Sequence, residues 1–383
     1  MKIRNFATIE ERRKFLEKKK GMHFAAIKVF PKDMEVAQFR NCENMIGAVQ
    51  LPLGIAGPLK IKGSCTKGEY FIPLATTEAA LVASINRGCK AVTNAGGVQV
   101  YTEQAGITRG SIFETSGLSA SFKFKKWLTD NFLPLARKAQ ETSSHLKLLK
   151  LETRIVGRSV YVRFSFDTMD AMGMNMATIA TDKVAHFIAR ETGIVCVSLA
   201  GNFDIDKKPA WLNFILGRGR QVWAEAVLSE KVVKEVLKTT LEKIHQVSIK
   251  KCLVGSALSG SLGFNAHFAN IIAAIFIACG QDPAHIVEGS LGITTTDLID
   301  KKLYISIYLP DLVLGTVGGG TSLPSQKEAL SFLGVWGGSE GRNADVLAEI
   351  VGGAVLAGEL SLLAALSEGS LALAHQKLAR SDK

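Results

Sequence analysis

The stretch KLLKLETRIVGRSVYVRFSF, residues 147–166, holds two β-strands around a Gly157-Arg158 turn. In its second half Val160, Val162, Phe164 and Phe166 alternate with Tyr161, Arg163 and Ser165, the period of two that lays one face on a core. Upstream, residues 107–114 read as a strand and 119–141 as an amphipathic helix. Downstream, a helix is expected over about 173–190, then a short apolar strand over 194–199.

That order, β-α-β-β-α-β, is the ferredoxin-like pattern, a compact subdomain of about 90 residues. It lies between stretches of different character, so the fold class is α+β with an inserted subdomain. Before it, Thr8-x-x-Glu11 forms a capping box opening a charged helix over 8–20. A Gly/Pro-punctuated loop and strand region follows over 47–63, and Thr76-Thr77-Glu78 offers helix-start chemistry before the apolar pattern of 79–92. After it come a polar turn at 204–209 and a helix-rich region to Gly280. A strand at 302–309, a glycine run at 315–320 and a small-residue helix at 344–366 complete the chain.

The 383 residues are 47% hydrophobic and 21% charged, which excludes a disordered chain and allows a sizeable core. Forty-six Lys+Arg against 35 Asp+Glu give +11, a balance that favours anionic partners. Aromatics are only 7% and no basic patch is interleaved with them, so a nucleic-acid partner is not expected. The six cysteines stand singly with no CxxC, which predicts a reduced, cytoplasmic protein without disulfides or a zinc site. No signal peptide is read at the start. The richest apolar stretch, 351–374, is interrupted by Glu359 and Glu368 and reads as a core helix and not a membrane span.

Neither GxGxxG after a strand, nor GxxxxGK[ST], nor HExxH occurs. Four polar clusters remain. Asp170-Ala171-Met172-Gly173-Met174-Asn175 joins a strand to a helix whose free N–H groups attract phosphate, although a plain cap with two core methionines fits equally. Gly315-Thr316-Val317-Gly318-Gly319-Gly320-Thr321 is a phosphate cradle or a tight turn. Asp206-Lys207-Lys208-Pro209 is an exposed charge pair, or a lysine poised to hold a developing oxyanion. Glu78 caps a helix or gives a proton, Asp282 stops a helix or joins a site, and His375 is structural or an acid. Together they suit hydride reduction of an activated carbonyl.

Glu43-Asn44-Met45-Ile46-Gly47, Ala75-Thr76-Thr77-Glu78, the 170–175 and 206–209 motifs, Gly280-Gln281-Asp282 and the 315–321 run closely resemble 3-hydroxy-3-methylglutaryl-CoA (HMG-CoA) reductases. The likeness is to the class I form without its membrane anchor, from about residue 40 to the end. It implies reduction of HMG-CoA to mevalonate and CoA, in isoprenoid synthesis, with two nicotinamide cofactors used in turn. NADPH is expected, with NADH as the alternative. It also implies a small N-terminal helical region (1–45) and a large helix-centred substrate domain in two parts (46–109 and 200–383). The inserted nucleotide-binding subdomain spans 110–199, and a homodimer or dimer of dimers, with no membrane partner, shares its active sites between chains.

By position, Lys207 resembles the lysine that stabilises the thioester oxyanion, and Glu78 the proton donor for the aldehyde. Asp282 resembles the aspartate linking them, and His375 the acid that protonates the departing thiolate. Substrate carboxylate and hydroxyl contacts fall to Arg109, Lys208, Lys251 and Asn270, and CoA contacts to Ser84, Asn86, Arg87, Lys238 and His267. Cofactor contacts fall to Asp170, Met172, Gly173, Met174, Asn175, Gln281, Val317, Gly318 and Gly319, with Ser143 and Arg380 at the nucleotide's 2′ end. The chain departs from the animal pattern at Ala200 and Ala374, where serines stand. It departs again at Ser143-Ser144-His145, where a Ser-Arg-Phe meets the 2′-phosphate. Lys147, Lys150 and Arg380 are then the cations left to face that phosphate.

Overall fold

The computed structural model describes residues 2–369, so Ala374, His375 and Arg380 lie outside the described residues. Two sheets meet along one strand. The larger runs β2 (Lys67–Ala75), β1 (Leu53–Gly63), β3 (Val98–Glu114), β7 (Arg218–Ser229), β10 (Lys302–Leu312), β9 (Gly292–Ile299) and β8 (Gly263–Phe264). The smaller runs β4 (Lys147–Val156), β5 (Ser159–Asp167), β3 and β6 (Cys196–Ser198), antiparallel throughout. Residues 99–106 of β3 pair with β7, and residues 107–114 pair with β5. At the change of partner Gly106 takes φ 86°, and a Cβ there would stand 3.0 Å from the Phe166 carbonyl, so the bend requires glycine.

The expected β-α-β-β-α-β order is present, with β3 and β5 as its central strands. Val160, Val162, Phe164 and Phe166 are all buried against helices α3 (Leu118–Asp130), α4 (Phe132–Gln140) and α5 (Met174–Thr192). The single helix expected over 119–141 is in fact the pair α3 and α4. Pro134 has no N–H to offer the Asp130 carbonyl and its ring crowds that group, so the chain breaks at Asn131 (φ −105°, ψ 21°).

Several strands escaped the sequence reading, β2, β8 and β9 among them. The first half of β3 was not seen, and β7 sits inside what reads as helix because helix formers (Arg, Gln, Ala, Glu and Leu) supply seven of its twelve residues. Its Val222, Ala224, Ala226 and Leu228 are nevertheless buried at a spacing of two.

The core of the larger part is α7 (Arg342–Glu368), packed on α2 (Leu81–Asn94), α6 (Phe268–Ala278) and β3, β7 and β10. It is long and apolar enough to cross a membrane, yet 83% of its most apolar window is buried inside the protein. Its two buried glutamates act as internal caps. The Glu349 carboxylate accepts from the backbone of Ser64, Cys65 and Thr66 in the β1–β2 turn. That of Glu359 accepts from Ala266 N, His267 N and Thr294 Oγ1, closing the start of α6. Charge-assisted bonds of this kind offset the cost of burying a carboxylate. At the N-terminal end α1 (Ile9–Lys20) carries the expected capping box. Buried Arg12 donates from it to the Met45 carbonyl at 2.9 Å, fixing the 43–47 motif.

Candidate active site

Lys207 lies in the loop between β6 and β7 in a left-handed conformation, φ 57°. Its amine meets the Asp282 carboxylate at 2.7 Å. Asp282 also accepts from Ala284 N at 3.0 Å, capping the short turn Pro283–His285, so one carboxylate ends the Gly280 corner and fixes the amine. The bond to Asp282 raises the Lys207 amine above the usual lysine range against partial burial, with the charges of Asp282, Asp206 and Glu288 adding to it. Burial pushes the Asp282 carboxyl up, but its bonds to Lys207 and Ala284 prevail and it is lowered. The pair is therefore ionised across the neutral range. The Lys207 side chain is 40% exposed in the single chain, not enclosed.

Beneath this pair is a buried ionic layer that the sequence reading missed. Arg218, wholly buried, donates to Glu288 Oε1 at 2.5 Å, to Asp206 Oδ1 at 2.7 Å and to Thr108 Oγ1 at 2.9 Å. His285 meets Asp206 Oδ1 at 3.2 Å, tying the Asp282 turn to the Lys207 loop. Burial, with Asp311 nearby, pushes the Glu288 carboxyl up to about 7, and burial pushes that of Asp311 up to about 7. The Asp206 carboxyl resists burial through His285 and Arg218 and stays well below the usual range.

A cleft of about 1060 Å³ opens beside the loop, lined by Pro209, Lys251, His267 and Asn270 among others. Asn270 reaches Glu78 Oε1 at 3.4 Å. Glu78 is not in a first helical turn as the sequence suggests. Ala80 takes φ 71°, the helix starts only at Leu81, and Thr76 Oγ1 accepts from Glu78 N, closing a local turn instead. Glu78 is exposed, and among the described residues no bond joins it to Asp282 or Lys207. Arg109, on β3 just past the Gly106 bend, lies 3.5 Å from Asp204. Lys208 is exposed and its amine bonds only to the Asp206 carbonyl among the described residues.

The other expected substrate contacts are spread out. Ser84 and Arg87 on α2 bond to Ser361 of α7, and Asn86 accepts from Gly57 N. His267 Nε2 meets the Gly358 carbonyl at 2.8 Å. Lys238 is exposed at the end of a wide turn, and lines neither cleft.

The second cleft, about 670 Å³, brings together three motifs far apart in sequence: Met172, Gly173, Met174 and Asn175; Gln281 and Asp282; and Val317, Gly318 and Gly319. Asp282 lines this cleft, and Pro209, two residues past Lys207, lines the first, so the ion pair stands between them. A short bridge joins Ala171 to Val317. Gly173, just before α5, takes φ 91°, where a Cβ would strike Thr168 at 2.4 Å, and α5 starts with no side-chain cap. Among the described residues no side chain caps its first N–H groups.

Two of the expected contacts act on the protein itself. The Asp170 carboxylate is buried and accepts from Ser339 N, Gly341 N and Ala344 N at the start of α7. The Gln281 amide pairs with both backbone groups of Gly315. Ser143 sits in the turn before β4, accepts from His145 N at 3.2 Å and does not line the cleft. Arg40 and Asn41 do line it, from the segment just before the 43–47 motif, and no pattern in the sequence marks them.

The hydroxymethylglutaryl-coenzyme A reductase family model matches residues 8–380. The chain belongs to that family. It is 52% identical over 377 residues to the 3-hydroxy-3-methylglutaryl-coenzyme A reductase of Methanocaldococcus jannaschii, covering 97% of this chain and 92% of that one. It is 52% identical over 376 residues to that of Pyrococcus horikoshii, covering 97% and 91%. Among solved structures it is similar to the class II reductase of Streptococcus pneumoniae bound to NADPH in open conformations. There the TM-score is 0.69 at 18% identity, with 95% and 98% of the two chains covered. At that identity the likeness speaks for the fold.

Proposed function

We propose that this chain reduces HMG-CoA to mevalonate and free CoA with two NADPH, and that the Lys207–Asp282 pair between two clefts is its chemical centre. That juxtaposition carries the reading: an ammonium held by a carboxylate, with a polar cleft on one side and a glycine-lined cleft on the other. The ammonium of Lys207 donates to the thioester oxygen and later to the mevaldehyde oxygen, where negative charge develops. Asp282 keeps it protonated and aimed. Glu78 supplies the proton to the aldehyde oxygen, and His375, outside the described residues, protonates the CoA thiolate.

Nucleotide binding is supported by the second cleft. Nothing stands within 4 Å of where a Cβ would be at Gly318 or Gly319, so a phosphate can approach their backbone, and the uncapped start of α5 adds N–H donors. NADPH supplies a hydride when bound. Steady-state assays of mevalonate formation with NADPH and with NADH test the reading. Turnover with NADPH, at higher kcat/KM than with NADH, is expected. A strong NADH preference would assign the Ser143-Ser144-His145 departure to cofactor choice, and no turnover with either would overturn the proposal.

A class I-like assignment is supported by the motif resemblance of residues 43–47, 75–78, 170–175, 206–209, 280–282 and 315–321, with only 18% identity to the class II structure. The domain division given above, with an inserted nucleotide-binding subdomain, follows from the same family reading. A homodimer or dimer of dimers is supported by the exposure of Glu78 and Lys207, since a proton donor and an oxyanion lysine work best enclosed. Six unpaired cysteines support a cytoplasmic setting.

Changing His375 to Gln should slow HMG-CoA turnover by about 10²-fold while sparing reduction of added mevaldehyde. Parallel assays on the two substrates read this directly, and equal damage to both would remove His375 from the thiolate step.

A further inference from the structure

The loop that carries Lys207 is strained. Asn202, Ile205 and Lys207 all have positive φ (59°, 50° and 57°), and Ile205 is β-branched. A non-glycine residue in that region, a β-branched one above all, persists only where its surroundings impose it. The surroundings are specific. Thr108 Oγ1 donates to the Asp204 carbonyl at 3.0 Å, and Asn213 Nδ2 donates to that of Ile205 at 3.0 Å. Asp206 is held by Arg218 and His285, and the Lys207 N–H donates to Glu288 Oε1 at 3.1 Å.

We propose that Glu288 is a positioning residue for Lys207: its Oε1, fixed by Arg218, accepts the Lys207 N–H and holds the backbone in the left-handed turn that delivers the amine to Asp282. Asp206, His285 and Glu288 also lie close enough to suggest a metal site, with one donor atom from each inside a 4.8 Å cluster. The Arg218 guanidinium already bonds both carboxylates and its charge repels a cation from that spot, so the cluster serves the loop. The kinetic part of this inference rests on the reductase reading.

Three variants separate positioning from plain burial of a charge. Glu288→Gln keeps the reach and the accepting oxygen, and suits a group pushed up to about 7. Glu288→Asp keeps the carboxyl but falls one methylene short, and Glu288→Ala removes the acceptor. With HMG-CoA and with mevaldehyde alike, Ala and Asp should lower kcat by about 10–100-fold, the scale of a 1 Å misplacement. KM should stay within about twofold, and Gln should restore kcat to within a few-fold of the parent.

Acylation of Lys207 by an amine reagent, read by peptide mass spectrometry against Lys208, should rise several-fold in Ala and Asp but not in Gln. Asp outperforming Gln, a loss carried in KM, or kcat within twofold in every variant would overturn the proposal. If Ala does not fold, Asp against Gln decides; if none of the three folds, Glu288 is a stability residue and the proposal fails. An inactive parent enzyme would sink the reductase reading alone, because the labelling pattern tests the positioning without turnover.

Discussion

Replacing Lys207 with alanine should lower kcat by about 10³-fold for both HMG-CoA and mevaldehyde, the upper range for losing one preorganised donor at a developing oxyanion. The same amine serves both carbonyls in the proposed mechanism, so the two losses should be equal. Stability should hardly change. The Lys207–Asp282 pair is 40% and 31% exposed, and such pairs contribute about 0–1 kcal/mol. Single-turnover absorbance at saturating NADPH, with urea unfolding of the same sample, measures both. Residual activity within tenfold of the parent would show that the oxyanion is held elsewhere.

Arg218→Ala should be the most destabilising single change near the site, by about 3–5 kcal/mol at pH 8, the cost of stranding a buried charge. It leaves Glu288 without its bond at 2.5 Å and Asp206 without its bond at 2.7 Å. The pH dependence has a definite sign. Glu288 and Asp311 have folded values of about 7 against unfolded values of 4.5 and 3.8. Between those limits the folded chain holds protons that the unfolded chain has released, so stability falls as pH rises through the window. Asp206 works the other way. Its folded value lies below its unfolded value of 3.8, so its contribution is present above that pH and is lost as pH falls through the folded value. The Arg218→Ala deficit should therefore be smaller at pH 5.5, where Glu288 and Asp311 are protonated, than at pH 8. Urea unfolding at the two pH values checks this, and a larger deficit at pH 5.5 would contradict the sign.

What could be read in advance followed the physics of each signal. The alternation of Val160, Val162, Phe164 and Phe166 marks β5 because burial on one face leaves a period. Lys207, Asp282 and the glycine run were visible as motifs, and their convergence is what the fold adds. Arg218, His285 and Glu288 were not visible, because a buried ionic layer has no periodicity; each partner comes from a different segment and only the fold pairs them. The one trace was Arg218 and Arg220 at the start of a strand that goes on to alternate apolar residues. Glu78 was misplaced because Thr76-Thr77-Glu78 looks like a helix start, whereas Ala80 turns left-handed and delays the helix. Asp170 and Gln281 were read as ligand contacts when their side chains are spent on the backbones of α7 and Gly315.

The strand common to both sheets has a mechanical consequence. A single ribbon of 17 residues acts as a torsion bar: neither sheet can pivot without winding the other, and Gly106, the one glycine along it with positive φ, marks its bend. Arg109 is three residues beyond that point and belongs to the small sheet's side of the bar. Any tilting of the smaller sheet would thus swing the guanidinium of Arg109 relative to the large sheet, and a bulkier residue at 106, its Cβ 3.0 Å from the Phe166 carbonyl, would force that corner open.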